Sequence, residues 1–137
     1  TVPELIAYAK ANPGKLRMAM TGAGSSPHVS GKLFRLMTGV DVTEQHYDGG
    51  GPALRDMIAG KADMMFEPMS ASIGPLRKKE LRALAVTTAQ RSQTLPDLPL
   101  RSDTLPGYEA SATTGIGVPR GTPAEIIATL NKSINAA

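Results

Sequence analysis

The stretch Leu16-Arg17-Met18-Ala19-Met20-Thr21-Gly22-Ala23-Gly24-Ser25-Ser26-Pro27-His28 runs from a short apolar segment, through a Gly-Ser loop, into a segment headed by Ser and Pro. Residues 16–20 have the length and apolar character of a buried strand, and the loop that follows breaks it. Ser26 suits a helix N-cap and Pro27 a first helical position, because a helix start needs a side-chain oxygen for its free N–H groups and loses nothing to proline there. Val29, Leu33, Phe34, Leu36 and Met37 then recur at helical spacing up to Thr38-Gly39. The same phrase repeats downstream. Residues 42–47 alternate as a strand does, Asp48-Gly49-Gly50-Gly51 turns the chain, and Pro52 starts a helix through Leu54, Met57 and Ile58 to Gly60. Strand, Gly-rich loop, helix, strand is the grammar of right-handed crossovers, so the predicted class is α/β: a mostly parallel sheet with helices on both faces.

Outward from this centre, Thr1 and Glu4 stand at capping-box spacing with Pro3 in the first turn, and Leu5, Ile6 and Ala9 give a helix face that ends before Pro13-Gly14. Residues 62–66 read as a third strand and 70–79 as a helix disturbed by Gly74-Pro75. Residues 81–87, rich in Leu, Ala and Val, read as a fourth strand. Residues 90–107, with Pro96, Pro99 and Pro106, read as a long surface connection. Residues 111–118 are expected to form a last strand, which Pro119-Arg120-Gly121 turns into a helix opened by Thr122-Pro123-Ala124-Glu125. That helix reaches Ala137 without a Gly or Pro stop, and the chain begins at Thr1; both features lead us to expect a piece of a longer protein.

Composition narrows the function classes. The 137 residues hold one core, and 41% hydrophobic with 20% charged residues is ordinary for a globular domain. No apolar run approaches the roughly 18 residues of a spanning helix. With no Cys, disulfides, thiolate metal sites and Cys nucleophiles are excluded; with only His28 and His46, a metal site would rest on carboxylates, and none is expected. Lys+Arg 15 against Asp+Glu 12 gives +3, which suits an anionic ligand but is no nucleic-acid footprint, and 4% aromatics leaves few stacking platforms.

Both Gly-rich loops end a strand and start a helix, so both helix N-termini face one edge of the sheet, where free N–H groups and the positive dipole end suit a carboxylate or phosphate. The candidate ligand-binding residues are Thr21, Gly22, Gly24, Ser25, Ser26, His28, Gly49, Gly50, Gly51 and Glu67, the last following the third strand at the same edge. The competing reading is that the glycines only turn the chain, Ser26 only caps, His28 only braces its loop, and Glu67 is a solvated loop acid. Gly22-Ala23-Gly24-Ser25-Ser26-Pro27 also approaches a dinucleotide fingerprint with Asp48 as the ribose acid, but Pro27 stands where the third Gly would let helix and strand approach. A hydrolase triad of Ser25 or Ser26 with His28 and Asp48 lacks the G-x-S-x-G elbow, so no catalytic residue is assigned. His46 reads as structural, and Arg77-Lys78-Lys79 as a solvated helix end.

The succession Ala11-Asn12-Pro13-Gly14-Lys15-Leu16, Gly24-Ser25-Ser26-Pro27-His28, Tyr47-Asp48-Gly49-Gly50-Gly51-Pro52-Ala53-Leu54, Leu81-Arg82-Ala83-Leu84-Ala85-Val86-Thr87, Leu95-Pro96-Asp97-Leu98-Pro99, Pro106-Gly107-Tyr108-Glu109 and Pro119-Arg120-Gly121-Thr122-Pro123 resembles the tripartite tricarboxylate transporter substrate-receptor family, often called Bug receptors, almost end to end. The resemblance implies a non-enzymatic, cofactor-free periplasmic protein of two lobes, which holds a small carboxylate between them and hands it to membrane permease subunits. This chain is similar to the second lobe, a type II periplasmic-binding-protein lobe. Residues 1–110 would be the ligand-binding lobe, and 111–137 the crossover strand and the start of a helix returning to the first lobe.

In the family the carboxylate is held by the loop matching residues 21–28 and the turn matching 49–52, together with a loop of the first lobe. Two departures stand out: Glu67-Pro68 replaces a frequent Asp-Asn, and Asp48 replaces a frequent Lys. A nucleotide-binding enzyme fragment and the effector-binding domain of a transcription regulator are the alternatives. A signal peptide upstream would favour the receptor and a helix-turn-helix the regulator. The lobe alone is expected to bind carboxylates weakly, and its C-terminal segment to dock at a non-native place or on a neighbouring copy, which would favour a dimer at high concentration.

Overall fold

A computed structural model describes residues 1–112 and 115–136. Helix α1 (Val2–Ala11) starts on the expected capping box: the Glu4 N–H donates to Thr1 Oγ1, and Glu4 Oε2 accepts from the Thr1 amino group at 2.8 Å. Strand β1 (Arg17–Thr21) follows, then α2 (Ser26–Thr38), β2 (Thr43–Tyr47), α3 (Gly50–Ile58), β3 (Met64–Met65), α4 (Met69–Arg77), a 3₁₀ turn at Arg101–Asp103 and α5 (Ala124–Asn135). The strands form a parallel sheet of order β2-β1-β3, with Arg17 opposite Thr43, Thr21 opposite Tyr47, and Met18 opposite Met64.

Side chains alternate along β1, and the two faces are covered by different helices. Met18 and Met20 join Ala9 of α1 and Phe34 of α2, with Val40, Val42, Met64 and Tyr108, in the larger core cluster. Ala19 points the other way, to Ala53 of α3 and Ala62. Helices therefore lie on both faces, as the repeated strand-loop-helix phrase predicts. Phe34, Phe66 and Tyr108 form an aromatic row, with ring centroids 5.8 and 6.3 Å apart.

Three expectations are corrected. Residues 81–87 form no ladder; Val86 makes one isolated parallel bridge with Leu100, and the apolar side chains line a cleft instead. A strand needs a continuous partner, and Leu100 offers this segment a single bridge. Of the strand expected over 111–118, residues 111–112 and 115–118 are not in strand conformation, while Thr113 and Thr114 lie outside the described residues. Helix α3 begins at Gly50 rather than Pro52, so Gly50 and Gly51 belong to its first turn. The C-terminal helix α5 forms as expected from Pro123-Ala124-Glu125, and none of its residues is buried.

Candidate functional site

The order β2-β1-β3 means that the chain leaves β1 toward β2 through α2 on one face, then crosses back to β3 through α3 on the other. The carboxyl ends of β1 and β3 therefore flank a topological switch point, where open α/β sheets form a ligand crevice. The loop after β1 carries Thr21, Gly22, Gly24, Ser25, Ser26 and His28, and the loop after β3 carries Glu67.

Ser25, not Ser26, caps α2. Its Oγ accepts from the His28 N–H at 3.3 Å and donates to the Thr21 carbonyl at 2.6 Å, tying strand end to helix start. Gly24, at a φ of 81° that only glycine adopts freely, donates its N–H to His28 Nδ1 at 3.3 Å. His28 thus braces the loop, as one of its two readings requires. These bonds also take Ser25 out of the hydrolase triad considered above, since its hydroxyl is directed at a backbone carbonyl and His28 Nδ1 at a backbone amide. The Ser26 hydroxyl has no hydrogen-bond partner among the described residues, and Ser26, half-buried, lines the cleft described below. The cap expected of Ser26 belongs to Ser25, and of the two serines proposed as ligand donors it is Ser26 whose hydroxyl is available.

The start of α3 has no side-chain cap: Gly49 occupies the N-cap position, and Gly50 and Gly51 present the free N–H groups that Pro52 lacks. Helix α4 also starts uncapped, behind Pro68. Glu67 closes the gap between these two helix starts. Its carboxylate lies flat against Gly50, so that a Cβ placed there would meet Oε1 at 2.5 Å and Cδ at 3.3 Å. Glu67 Oε2 is buried with no hydrogen-bond partner among the described residues, and this loss of water pushes the Glu67 carboxyl above its ordinary acidity range.

Beside this edge opens a cleft of about 1270 Å³, bounded by Ser26, Pro27 and Ser30 of α2, Leu54 and Met57 of α3, the Glu67-Pro68-Met69-Ser70 run, and residues 81–92, of which 81–87 had been expected as a strand. Of the predicted residues, Ser26 and Glu67 line it directly and Gly50 abuts Glu67. Thr21, Gly22, Gly24, Ser25, His28, Gly49 and Gly51 do not line it; they build the loops at the sheet edge. Ser30, Met69 and Ser70 at the α4 start, and Arg82, Arg91 and Ser92 also line the cleft, although the sequence had not singled them out for binding. The helix over 70–79 was expected, and Pro68 ahead of it was a usable signal that its start faces the site; nothing local marked the others.

The full length, residues 1–137, matches the family described as the tripartite tricarboxylate transporter family receptor. The chain belongs to that receptor family. It is similar to BugT of Bordetella pertussis, 37% identical over 134 residues, which is 97% of this chain and 41% of that protein. A protein from the tcbD-tcbE intergenic region of Pseudomonas sp. strain P51 is 35% identical over 138 residues, covering 99% of this chain and 41% of the relative.

Among solved structures, an R. palustris protein with adipate superposes with a TM-score of 0.91 at 40% identity, covering 98% of this chain and 45% of that one. MatC from Rhodopseudomonas palustris, with bound malate, gives a TM-score of 0.84 at 32% identity over 98% of this chain and 46% of its own. The periplasmic binding protein BugD gives 0.82 at 30% identity, over 98% of this chain and 46% of its own. The chain thus spans less than half the length of these relatives. No helix among the described residues is long and apolar enough to cross a membrane.

Proposed function

We propose that residues 1–110 are the ligand-binding lobe of a two-lobed periplasmic receptor that holds a small carboxylate for the permease of a tripartite transporter. Residues 111–137 are then the connection to the first lobe, and the cleft is one wall of the binding site. The observation that carries this reading is the uncapped α3 start, whose Gly50 lies against Glu67, beside a cleft at the carboxyl edge of the sheet that Glu67 and Ser26 of α2 both line. Adipate and malate in the solved relatives support a carboxylate as the ligand class. Helix α5 supports the connection: Ile126, Ile127, Leu130 and Ile134 leave it with an apolar side open to solvent, which the first lobe would cover. Isothermal calorimetry of the full-length receptor against adipate, malate, NAD and ATP tests the reading. Carboxylate binding without nucleotide binding is expected; nucleotide binding without carboxylate binding overturns it in favour of a nucleotide-dependent enzyme.

A further inference from the structure

The Glu67 carboxylate rests on Gly50, the first residue of α3, and therefore on the helix start that the proposed function gives to the ligand. A ligand carboxylate donated to by the Gly50 and Gly51 N–H groups meets the Glu67 side chain as its immediate neighbour. Two ionised carboxylates in contact repel strongly once water is excluded, and such pairs ordinarily hold one proton between them. Nothing at Glu67 neutralises it otherwise: Oε2 is buried without a donor, and no ion pair reaches it among the described residues. Of the charged groups around it some are paired, while Arg55 and Arg82 are in no ion pair among the described residues. Arg55 of α3 lies toward Gly51, its Nη1 3.8 Å from where a Cβ would stand. Asp63 is paired with Arg17 and Arg91 with Asp103, while Glu80, Arg82 and Glu109 lie along the same cleft. Asp48 in the turn before α3 and His28 at the start of α2 complete the set at the sheet edge.

We infer that a ligand carboxylate seated at the α3 start shares a proton with Glu67, so that capture of the ligand takes one proton from solvent and release returns it. This rests on the receptor reading above. The balance is simple: ligand carboxylate, Glu67 carboxylate and one solvent proton give one O–H···O⁻ pair, and no covalent bond between protein and ligand is made. Affinity then falls as pH rises, by about tenfold per unit once the free Glu67 carboxyl is ionised, because each binding event must then draw a proton from a tenfold scarcer supply.

The test is calorimetry of adipate and malate binding to the full-length receptor and its Glu67→Gln variant, from about pH 5 to about pH 9, in buffers of different ionisation enthalpy. The Gln amide is a permanent donor, so the variant is expected to keep its affinity across this range and to take up no proton at Glu67. The wild type should take up as much as one proton per ligand and lose affinity as pH rises. The same proton uptake and the same pH slope in both proteins would overturn the inference and leave the receptor reading standing. Absence of carboxylate binding by both at every pH would overturn both together. Should the Gln variant fail to fold, Glu67→Met, which has no proton to exchange, makes the same comparison.

Discussion

The Tyr108 hydroxyl donates a 2.9 Å hydrogen bond to the backbone carbonyl of Ser30, 78 residues earlier in the chain. Tyr108 is 1% exposed and stacks on Phe66, so this one side chain fastens the 105–110 segment to the turn of α2 that borders the cleft. Tyr108→Phe keeps the ring and loses only the bond, and should cost about 1 kcal/mol. Tyr108→Ala empties a core position and should cost about 3 to 5 kcal/mol. Urea denaturation of the three proteins checks both figures; equal losses for Phe and Ala would mean that the ring contributes nothing beyond its hydroxyl.

Ser25 and Ser26 separate stability from binding. Ser25 Oγ holds both the α2 start and the end of β1, so Ser25→Ala should destabilise the lobe by about 0.5 to 2 kcal/mol. The Ser26 side chain bonds to nothing among the described residues, and its backbone carbonyl, which accepts from Ser30 Oγ, survives the substitution, so Ser26→Ala should leave the melting temperature nearly unchanged. If Ser26 donates to an ionised ligand, its loss should weaken carboxylate binding by the full-length receptor by about 1.5 to 3 kcal/mol. Thermal melts beside calorimetry of both variants check this. A Ser26→Ala variant with unaltered affinity would remove that hydroxyl from the site.

This division of labour was only partly legible in the sequence. A Gly-Ser-Ser-Pro run announces a capped helix start, but which serine caps depends on where the loop leaves β1, and a shift of one residue exchanges the roles. The two Gly-rich loops were legible because glycine and proline act locally on the backbone. Two features were not. An apolar run such as 81–87 has the same composition whether it pairs in a sheet or lines a cleft, and the difference lies in the partner that the rest of the chain brings to it, here one bridge to Leu100. The seating of Glu67 on Gly50 joins residues from different loops, and no periodicity within either segment encodes it.

Acid should weaken the fold through Asp63. Arg17 clasps this carboxylate through Nε and Nη2, both at 2.8 Å, and its backbone N–H donates to Oδ2, so the Asp63 carboxyl titrates below its ordinary range. A depressed carboxyl adds stability that is present above its unfolded value, near about 3.9, and is lost as pH falls through the lower folded value. Glu44, held by Lys32 and Arg35, shifts in the same direction. Because the Arg17–Asp63 pair is about one-third exposed, Asp63→Asn should cost only about 1 kcal/mol at neutral pH. The cost should shrink toward zero in strong acid, where the wild-type carboxyl is also uncharged. Denaturation midpoints of the two proteins across acid and neutral pH check the sign; a gap that widens in acid would contradict it.

The last prediction concerns α5. Ile126, Ile127, Leu130 and Ile134 are each 41 to 47% exposed, and they recur at helical spacing, so they form one apolar stripe. Ile116 and Val118 extend the exposed apolar surface ahead of the helix. In the proposed receptor the first lobe covers this stripe; in the 137-residue chain alone another copy is the surface at hand. Covering even a few hundred Å² at about 25 cal/mol per Å² contributes several kcal/mol, enough to offset part of the cost of association at high concentration. The chain alone should therefore sediment with a mass that rises with concentration, and the same chain ended after Val118 should rise less. Replacing Ile127 and Leu130 by Lys should have the effect of the truncation while leaving the helix intact. A concentration-independent monomer for the full 137 residues would mean that α5 finds its cover within its own chain.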